Sequence, residues 1–329
     1  MYVLVTGANG FLGRHIVDQL VLRGDRVRAL CRQDAPQLTA MGVEVLRGDV
    51  RDRETVLEAC RGIDVVFHVA AITGIWGRWQ DFYDINVRGT EYVIEGCRAH
   101  GVSRLIYTSS PSVTYDGRDQ LGVDESVPYP ASWYCHYPHS KALGEQHVLR
   151  ANGTGGLKTC SLRPHLIWGP HEKSFLDRLV EKSEAGQLRQ VGAGGNMVDM
   201  VYVENAASAH LLAADALEGN APAAGRAYFI SQGKPVNCWE WINQLLTIAG
   251  GQPIKKIISR RAARWLGRLC EITYRTLRLP GEPPMTRFLA DQLSTSHYFN
   301  ISRARNDLGY EPTISTEEGL ARLAAAYPR

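Results

Sequence analysis

Short apolar runs alternate with amphipathic stretches over the first half of the chain, which is the pattern of a parallel sheet covered by helices. The apolar runs are rich in Val, Ile and Leu, as is typical of strands buried on both faces. They predict strands at residues 3–6, 26–31, 44–47, 64–69, 104–108 and 158–162. The amphipathic stretches predict helices at residues 11–23, 54–60, 82–100 and 136–151. The first half therefore indicates an α/β fold with a doubly wound parallel sheet.

The pattern changes after about residue 168. Glycine-rich loops are expected at 192–196 and 219–222. Short strands are expected near 199–203 and 227–230, and helices near 236–249 and 260–277, before a break at three prolines. We expect residues 1–168 to form the sheet domain. Residues 169–329 should form mainly a smaller C-terminal substrate-binding lobe, with some segments returning to the sheet.

The composition is that of an ordinary globular protein, with 44% hydrophobic and 22% charged residues among 329. The formal net charge of +3 is too small for a typical nucleic-acid binder, so no such partner is expected. Seven scattered cysteines show no C-x-x-C pair and no zinc-site spacing, which favours reduced thiols and no metal. We find neither the features of a secretion signal nor an apolar run that could span a bilayer, and expect a cytoplasmic protein.

Three glycines with the spacing G-x-x-G-x-x-G follow the first predicted strand and open the first predicted helix. Gly7 permits a tight turn, Gly10 lets backbone N–H groups approach a pyrophosphate, and Gly13 allows close contact between helix and strand. The positive end of the helix favours the phosphates. The segment predicts a dinucleotide site at the edge of a Rossmann-like sheet. Further contacts expected from the same turn are Asn9, Phe11 and Leu12.

The end of the second strand decides which dinucleotide is favoured. Arg32 stands where an NAD site would place a carboxylate for the ribose, and a guanidinium suits the 2′-phosphate of NADP. NADP(H) is therefore favoured, while Asp34, two residues on, leaves NAD(H) open. After the third and fourth strands, the segments expected near the adenine and the phosphates are Asp49 with Val50 and Ala70 with Ala71.

A tyrosine and a lysine lie four residues apart at the start of the fourth predicted helix, so Tyr137 and Lys141 share one face. An ammonium beside a phenol stabilises the phenolate, and we expect Lys141 to lower the pKa of Tyr137. Ser110 follows the fifth strand, at the edge of the sheet where ligands bind, and could orient a substrate oxygen. Asn86 lies within a predicted helix, where Asn is unfavourable, and either positions Lys141 through a water or bonds the backbone.

In combination, the glycine turn, Asn86, Ser110, Tyr137 and Lys141 resemble the extended short-chain dehydrogenase/reductase superfamily. The segments 163–164 and 198–203 are similar to its 3β-hydroxysteroid dehydrogenase branch. Within that branch, residues 166–170 and 279–289 are most similar to the reductases of bacterial long-chain olefin synthesis. The resemblance covers nearly the whole chain.

This resemblance implies an NADPH-dependent reduction of a long-chain 2-alkyl-3-oxoalkanoate to the 3-hydroxy acid. Tyr137 would relay the proton, and Lys141 would modulate the acidity of Tyr137 and bind the nicotinamide ribose. Ser110, with Ser112 as an alternative, would orient the substrate. Pro164 joins the expected cofactor contacts. Two alternatives stay open: a 3β-hydroxysteroid or sterol-carboxylate dehydrogenase, and a non-catalytic NADP-binding regulator, a class that tends to lack the Tyr/Lys pair.

Aromatic residues in three predicted loops favour a lipid-like substrate, because they offer apolar walls rather than hydrogen bonds. These residues are Trp76, Trp79, Phe82, Tyr83, Trp133, Tyr134 and Trp168. Arg163 and Arg287 are candidates to pair with a substrate carboxylate. His136 and His139 are expected to cap or pack rather than bind metal. Buried, hydrogen-bonded positions are expected for His68, His165 and His210.

The segment 255–279 is rich in Lys and Arg, with an apolar stripe between the charges. Two interpretations are open: a helix that lies on an anionic membrane or docks on an acidic protein, and a lid over the substrate with a solvated basic face. We also expect a homodimer or a multi-enzyme assembly.

Overall fold

The computed structural model describes residues 1–172 and 176–327. The strands of the described residues are β1 (Tyr2–Thr6), β2 (Arg26–Cys31), β3 (Glu44–Arg47), β4 (Val65–His68), β5 (Arg104–Thr108), β6 (Gln120–Val123), β7 (Lys158–Pro164), β8 (Ile167–Trp168), β9 (Gln190–Val191), β10 (Met197–Val198), β11 (Val201–Tyr202), β12 (Arg226–Ile230), β13 (Val236–Asn237), β14 (Ile257–Ile258) and β15 (His297–Phe299).

The helices are α1 (Phe11–Leu22), α2 (Pro36–Thr39), α3 (Arg53–Ala59), α4 (Trp79–Tyr83), α5 (Gly89–Ala99), α6 (His136–Ala151), α7 (Leu176–Glu184), α8 (Val203–Asp215), α9 (Cys238–Ile248), α10 (Arg260–Thr276), α11 (Arg287–Gln292), α12 (Ser302–Leu308) and α13 (Thr316–Ala326). A π-helical turn (Asp84–Arg88) joins α4 to α5, and 3₁₀ turns occupy Pro111–Thr114 and Thr154–Gly156.

A seven-stranded parallel sheet forms the centre, in the order β12-β7-β5-β4-β1-β2-β3. Val5 of β1 pairs with Ala29 of β2 on one side and with Phe67 of β4 on the other. The direction of strand order reverses between β1 and β4. In open α/β sheets, ligands bind at the carboxyl ends of strands at such a reversal. The predicted doubly wound, Rossmann-like sheet is confirmed.

The core lies on both faces of this sheet because alternate residues of each strand point to opposite sides. Val3 and Val5 belong to the cluster beneath α1 and α8, whereas Leu4 between them belongs to the cluster beneath α3, α5 and α6. All three are fully buried. Burying one such side chain contributes roughly 1.5–3 kcal/mol to the free energy of unfolding. The packed layers on the two faces therefore hold the strand ends in place.

The second half of the chain both completes the sheet and forms a lobe. β12 extends the central sheet, with Tyr228 paired to Leu162 of β7. A separate apolar cluster includes Trp168, Met200 and Trp241. A smaller sheet in the order β13-β10-β15-β6 adjoins it. In the part of the chain described, we find no helix whose length and apolar character would let it cross a membrane.

Two elements depart from the expected pattern. The strand expected near 199–203 is confirmed as β11, but α8, which was not predicted, starts directly after it. Most side chains of α8 are buried, so it lacks the amphipathic stripe on which the helix predictions rest. The single helix expected at 82–100 is interrupted by the π-helical turn Asp84–Arg88.

Candidate active site

The glycine turn brings the end of β1 against the segment that follows β4. Gly7 has a left-handed φ of +69°, and a Cβ there would lie 2.8 Å from the backbone nitrogen of Ala70. A Cβ on Gly13 would lie 2.2 Å from the carbonyl oxygen of Gly7. Neither position admits a side chain, so the two glycines allow three backbone segments to meet at the reversal of strand order.

The N-terminus of α1 opens into this turn without a side-chain cap. Gly10 is its N-cap residue with an extended backbone, and the first turn contains no acidic residue. The N–H groups of Phe11 and Leu12 are therefore available at the positive end of a twelve-residue helix. Asn9 accepts a hydrogen bond from Gln37 beside them. This cradle fits the pyrophosphate of a dinucleotide.

Arg32 follows β2 and is exposed, and among the described residues it has no acidic partner within 4 Å. Asp34 is also exposed, and its carboxylate lies 4.0 Å from Arg47. Both side chains are therefore accessible from solvent beside the cradle. Neither the guanidinium nor the carboxylate is held by a short ion pair that would keep it from a ribose or its phosphate.

The segments after β3 and β4 complete this edge of the sheet. Both oxygens of Asp49 accept hydrogen bonds from Arg51, which with a backbone bond hold the pKa of the Asp49 carboxyl below its ordinary value. Val50 is buried. Ala70 and Ala71 are half-buried next to the glycine turn. Of the positions predicted for the adenine and phosphates, Ala70 meets the glycine turn directly through its backbone.

Tyr137 lies in the first turn of α6, half-buried and beside the Ser110 hydroxyl. Burial raises the pKa of the phenol above its ordinary value, and the hydrogen bond with Ser110 only partly opposes this. The expectation that Lys141 lowers the pKa of Tyr137 is therefore wrong. At neutral pH the phenol holds its proton.

Lys141 explains this difference because its ammonium points elsewhere. The Nζ atom donates to the carbonyl oxygen of Thr108 at 2.6 Å and lies 4.1 Å from the centre of the Tyr107 ring. Lys141 is buried, which lowers the pKa of its ammonium to about 7, while the nearby Glu145 carboxylate acts in the opposite direction. Part of its charge is therefore lost near neutral pH.

Asn86 occupies the π-helical turn, a feature often found at functional sites. Its amide donates to the carbonyl oxygen of Ile72 at 3.0 Å and to the Ser140 hydroxyl at 2.9 Å. Its carbonyl oxygen accepts from the backbone N–H of Ile72 at 2.9 Å. Of the two expected roles, the structure has Asn86 bonding the backbone. It ties α6 to the segment after β4.

Ser110 and Ser112 form one pair of hydroxyls, with 2.9 Å between their oxygens. Ser110 also caps the 3₁₀ turn that follows β5 by accepting from the N–H of Ser112 at 3.3 Å. The turn starts at the carboxyl end of β5, as predicted. It therefore presents Ser110 toward Tyr137, with Ser112 behind it in the same hydrogen-bonded unit.

Glu145, which the sequence analysis did not select, lies four residues after Lys141 and is fully buried. Its oxygens accept from Arg163 Nε at 3.0 Å and Nη2 at 2.6 Å. Tyr129 and Ser161 donate to the same carboxylate. Arg163 is therefore occupied inside the protein, and the expectation that it pairs with a substrate carboxylate is wrong. The spacing of Lys141 and Glu145 was the available signal.

The second candidate for the substrate carboxylate is also occupied. Arg287 bonds the Glu271 carboxylate through Nε at 2.8 Å and through its backbone N–H at 2.7 Å. Both candidates were chosen because of charge alone, and both bind acidic residues of the chain itself.

A second buried network runs behind the glycine turn. The ring of His68 contacts the Thr6 hydroxyl at 2.8 Å and the Thr90 hydroxyl at 3.0 Å. Thr90 donates to the carbonyl oxygen of Asn86. Burial and the charge of Lys141 lower the pKa of His68 to about 3. His68 therefore stays neutral and links β1, β4 and the π-helical turn. The predicted buried, hydrogen-bonded positions are confirmed for His68, His165 and His210.

We expect the free energy of unfolding to fall as pH is lowered below about 6.5. Among the histidines whose pKa values are lowered by burial, four are buried rather than half-buried: His68, His165, His210 and His297. Below 6.5 the unfolded chain takes up protons that the folded chain does not, so each neutral histidine contributes a slope of about 1.4 kcal/mol per pH unit. Urea unfolding measured across pH tests this. His210→Gln should reduce the slope by the equivalent of one proton, and an unchanged slope would contradict the assignment.

The aromatic residues do not form one wall. Trp133 and Trp79 stack on His139, with ring centres 5.3 and 4.8 Å away, and Trp79 also meets His136 edge-on. The packing role predicted for the two histidines is confirmed. Trp168, in contrast, is buried in the core of the lobe, so the expectation that it lies in a loop and offers an apolar wall to the substrate is wrong.

Comparisons with known proteins agree with this geometry. A model of the 3-beta hydroxysteroid dehydrogenase/isomerase family matches residues 4–259. The chain is 48% identical over 329 residues to a 2-alkyl-3-oxoalkanoate reductase from Stenotrophomonas maltophilia (strain K279a), with 99% of both chains covered. It is 41% identical over 332 residues to a protein of the same name from Shewanella oneidensis, covering 99% of this chain and 86% of the relative.

Among solved structures, MoeE5 in complex with UDP-glucose and NAD superposes with a TM-score of 0.75 and 24% identity. The match covers 99% of this chain and 98% of that one, and shows the fold. The names of the family and the relatives are those of enzymes, which excludes the alternative of a non-catalytic regulator. The chain belongs to the 3-beta hydroxysteroid dehydrogenase/isomerase family and is an oxidoreductase of the short-chain dehydrogenase/reductase type that acts on hydroxyl or keto groups.

Proposed function

We propose that this protein reduces a long-chain 2-alkyl-3-oxoalkanoate to the 2-alkyl-3-hydroxyalkanoate with NADPH, as a step of olefin or hydrocarbon synthesis. The observation that carries the proposal is the meeting of Tyr137, Ser110 and Lys141 at the carboxyl end of β5, in the sheet whose reversal holds the glycine cradle. The names of the relatives at 48% and 41% identity support the substrate class.

The cofactor would be held by backbone more than by side chains. The first turn of α1 would bind the pyrophosphate through the N–H groups of Phe11 and Leu12. Gly7 and Gly10 would leave room for it, while their own N–H groups donate to the carbonyl oxygens of Leu30 and Gly7. Arg32 would bind the 2′-phosphate, for which its planar guanidinium is suited. When bound, the reduced nicotinamide supplies the hydride. The NAD in the MoeE5 complex supports a nicotinamide cofactor at this fold position.

The proton comes from the chain itself. Tyr137 Oη donates it to the substrate oxygen, which would otherwise become an alkoxide. The raised pKa of Tyr137 suits this direction, because a donor must hold its proton at neutral pH. Ser110 donates a hydrogen bond to the same oxygen and orients it. Lys141, one turn after Tyr137, would bind the nicotinamide ribose, and its ammonium would stabilise the phenolate that is left once it turns from the Thr108 carbonyl oxygen.

This assignment gives the two parts of the chain different roles. Residues 1–168 would bind the cofactor and carry the Ser, Tyr and Lys, and residues 169–329 would mainly enclose the substrate. The stacked rings of Trp79 and Trp133 around His139 lie at the first turn of α6, the turn that also contains Tyr137. Apolar rings at this position suit an alkyl chain.

A single assay matrix tests the proposal: oxidation of NADPH and of NADH, each with a 2-alkyl-3-oxo acid and with a 3-ketosteroid. The expected result is turnover of the oxo acid with NADPH at a kcat/KM at least about tenfold above the other three combinations. The steroid is included because the family carries the steroid dehydrogenase name. Preference for the 3-ketosteroid would overturn the substrate assignment in favour of the steroid alternative.

We expect Arg32→Ala to raise the KM for NADPH by about tenfold or more and to change the KM for NADH by less than about twofold. A charge-assisted hydrogen bond of a guanidinium to phosphate is worth roughly 1.5–3 kcal/mol, and only NADPH has this phosphate. Arg47→Ala removes an exposed guanidinium nearby and serves as the control. Equal losses with both cofactors would contradict the role of Arg32 and point to Asp34 as the ribose ligand.

A further inference from the structure

Surface helices usually bury their large apolar side chains, whereas helix α10 exposes them. Its inward face carries Ala263, Gly267 and Glu271, all buried. A Cβ on Gly267 would lie 2.6 Å from the backbone of Thr286, so the helix packs closely on the segment before α11. The apolar side chains therefore lie on the side that faces solvent.

The outward face is an apolar ridge. Trp265, Leu269 and Ile272 are 74%, 60% and 50% exposed. They are spaced by four and three residues, so they form one stripe along the helix axis. Leu266 is also exposed, and so are Leu277 and Leu279 just beyond the end of the helix. Contiguous exposed apolar surface of this kind marks a site of interaction.

Arginines flank this ridge on one side. Arg261, Arg268 and Arg275 repeat every seven residues, which places them in one column, and all three are exposed. Among the described residues, none of the three has an acidic partner within 4 Å; Arg275 lies over the ring of Trp76. Glu271, the only acidic residue of α10, is on the buried face.

Other charges of the segment fix the helix in this orientation. Arg260 and Arg264 both bind Asp291, which is fully buried in α11. Arg287 at the start of α11 binds Glu271. These ion pairs lie on the inner side and hold the apolar ridge outward. An apolar stripe that faces solvent favours the interpretation of a surface-binding helix over that of a lid.

We propose that the outward face of α10 binds anionic lipid bilayers, with the helix lying in the plane of the interface. A basic column beside an apolar ridge is complementary to anionic headgroups next to acyl chains, and an indole is favoured at that depth. A shallow cavity of about 240 Å³ lies between Trp265, Arg264, Arg268 and Arg287, and the carbon atoms of these side chains form most of its wall, which suits an acyl chain beside the basic column. The proposal is independent of the reaction that the enzyme catalyses.

The test is co-sedimentation of the full chain with liposomes of phosphatidylcholine alone and of equal parts phosphatidylcholine and phosphatidylglycerol. We expect at least about tenfold tighter binding to the anionic liposomes, weakened by added salt. The triple variant R261Q/R268Q/R275Q should bind about a hundredfold more weakly, since each arginine near the surface is worth about a factor of five. The matched control R61Q/R98Q/R150Q removes three exposed arginines elsewhere and should bind like the wild type apart from a small long-range effect.

A second readout reports the depth of one residue. Brominated lipid should quench tryptophan fluorescence of the wild type, and Trp265→Phe should lose this quenching while still binding, because Phe keeps the apolar ridge. The proposal is overturned by equal binding to both liposomes, by binding that the triple variant retains, or by no binding at all. In the last case, self-association of the wild type that the triple variant loses would assign the face to a second copy of the chain.

Discussion

Tyr137→Phe should lower the turnover number of the oxo-acid reduction by about a thousandfold, within the range of 10²–10⁴ that a positioned proton donor contributes. The hydroxyl that would donate the proton lies beside Ser110, and burial keeps it protonated at neutral pH. No other phenol in the described part of the chain is bonded to Ser110. Phenylalanine keeps the ring and its packing and removes only the hydroxyl group that would donate the proton.

The readouts are steady-state turnover and NADPH binding, followed by fluorescence titration. The dissociation constant for NADPH should change by less than about threefold, because the cradle of Gly7, Gly10 and α1 is untouched. Tyr92→Phe removes a hydroxyl from α5, away from this cluster, and should leave turnover unaltered. Retention of more than about a tenth of the wild-type rate by Tyr137→Phe would remove Tyr137 from the proton transfer.

The central sheet could be predicted from sequence because of how its strands are buried. Strands covered on both faces are rich in apolar residues, as in β4 and β5, whose residues are all buried. The predicted bounds of 26–31, 44–47 and 104–108 are those of β2, β3 and β5. α8 is buried on nearly all sides, so its apolar residues give no stripe and the sequence gives no helical periodicity to detect. Periodicity finds half-buried helices and fails for fully buried ones.

For α10, what the sequence could not predict was the orientation of the helix. The apolar stripe and the basic side are visible in sequence, but a periodic pattern does not say which side packs inward. That depends on Gly267, which permits the close approach, and on Asp291, which holds two arginines from a distant part of the chain. The orientation is a property of tertiary contacts, so the sequence pattern alone left it undetermined.

At the site, sequence analysis identified the residues that belong to recognisable motifs. It did not identify the buried residues that pack against them. The glycine spacing, Tyr137 and Lys141 are detectable because backbone sterics and helix geometry fix their separations. Glu145 and Arg163 lie eighteen residues apart on α6 and β7, and only the folded chain brings them together. The pKa of Tyr137 was mispredicted for the same reason, because burial and the direction of the Lys141 ammonium are three-dimensional properties.

Glu145→Gln should lower the free energy of unfolding by about 3–5 kcal/mol, the usual cost of removing one partner of a buried ion pair. The variant keeps the size of the side chain but leaves the Arg163 guanidinium buried without its counter-charge. Typical domains have about 5–15 kcal/mol of stability in total, so the loss should be plain in urea unfolding at neutral pH. Glu318→Gln, which breaks an exposed ion pair with Arg322, should cost less than about 1 kcal/mol.

Two further measurements separate the charge of Glu145 from its volume. Burial alone would raise the pKa of the Glu145 carboxyl, but Arg163 and the hydrogen bonds bring it below its ordinary value. The wild type should therefore lose this stabilisation only as pH falls through the acid range, whereas the variant lacks it at every pH. Glu145→Leu combined with Arg163→Met should recover most of the stability, since neither charge is left buried.

The same variant also tests the connection to catalysis. The Glu145 carboxylate opposes the effect of burial on Lys141, so its removal should lower the pKa of Lys141 further below about 7. If the ammonium is needed to stabilise the Tyr137 phenolate, turnover of Glu145→Gln should decline at lower pH than turnover of the wild type. A loss of stability with an unchanged pH profile would show that Glu145 supports only the fold. A shifted profile would make it a positioning residue for Lys141.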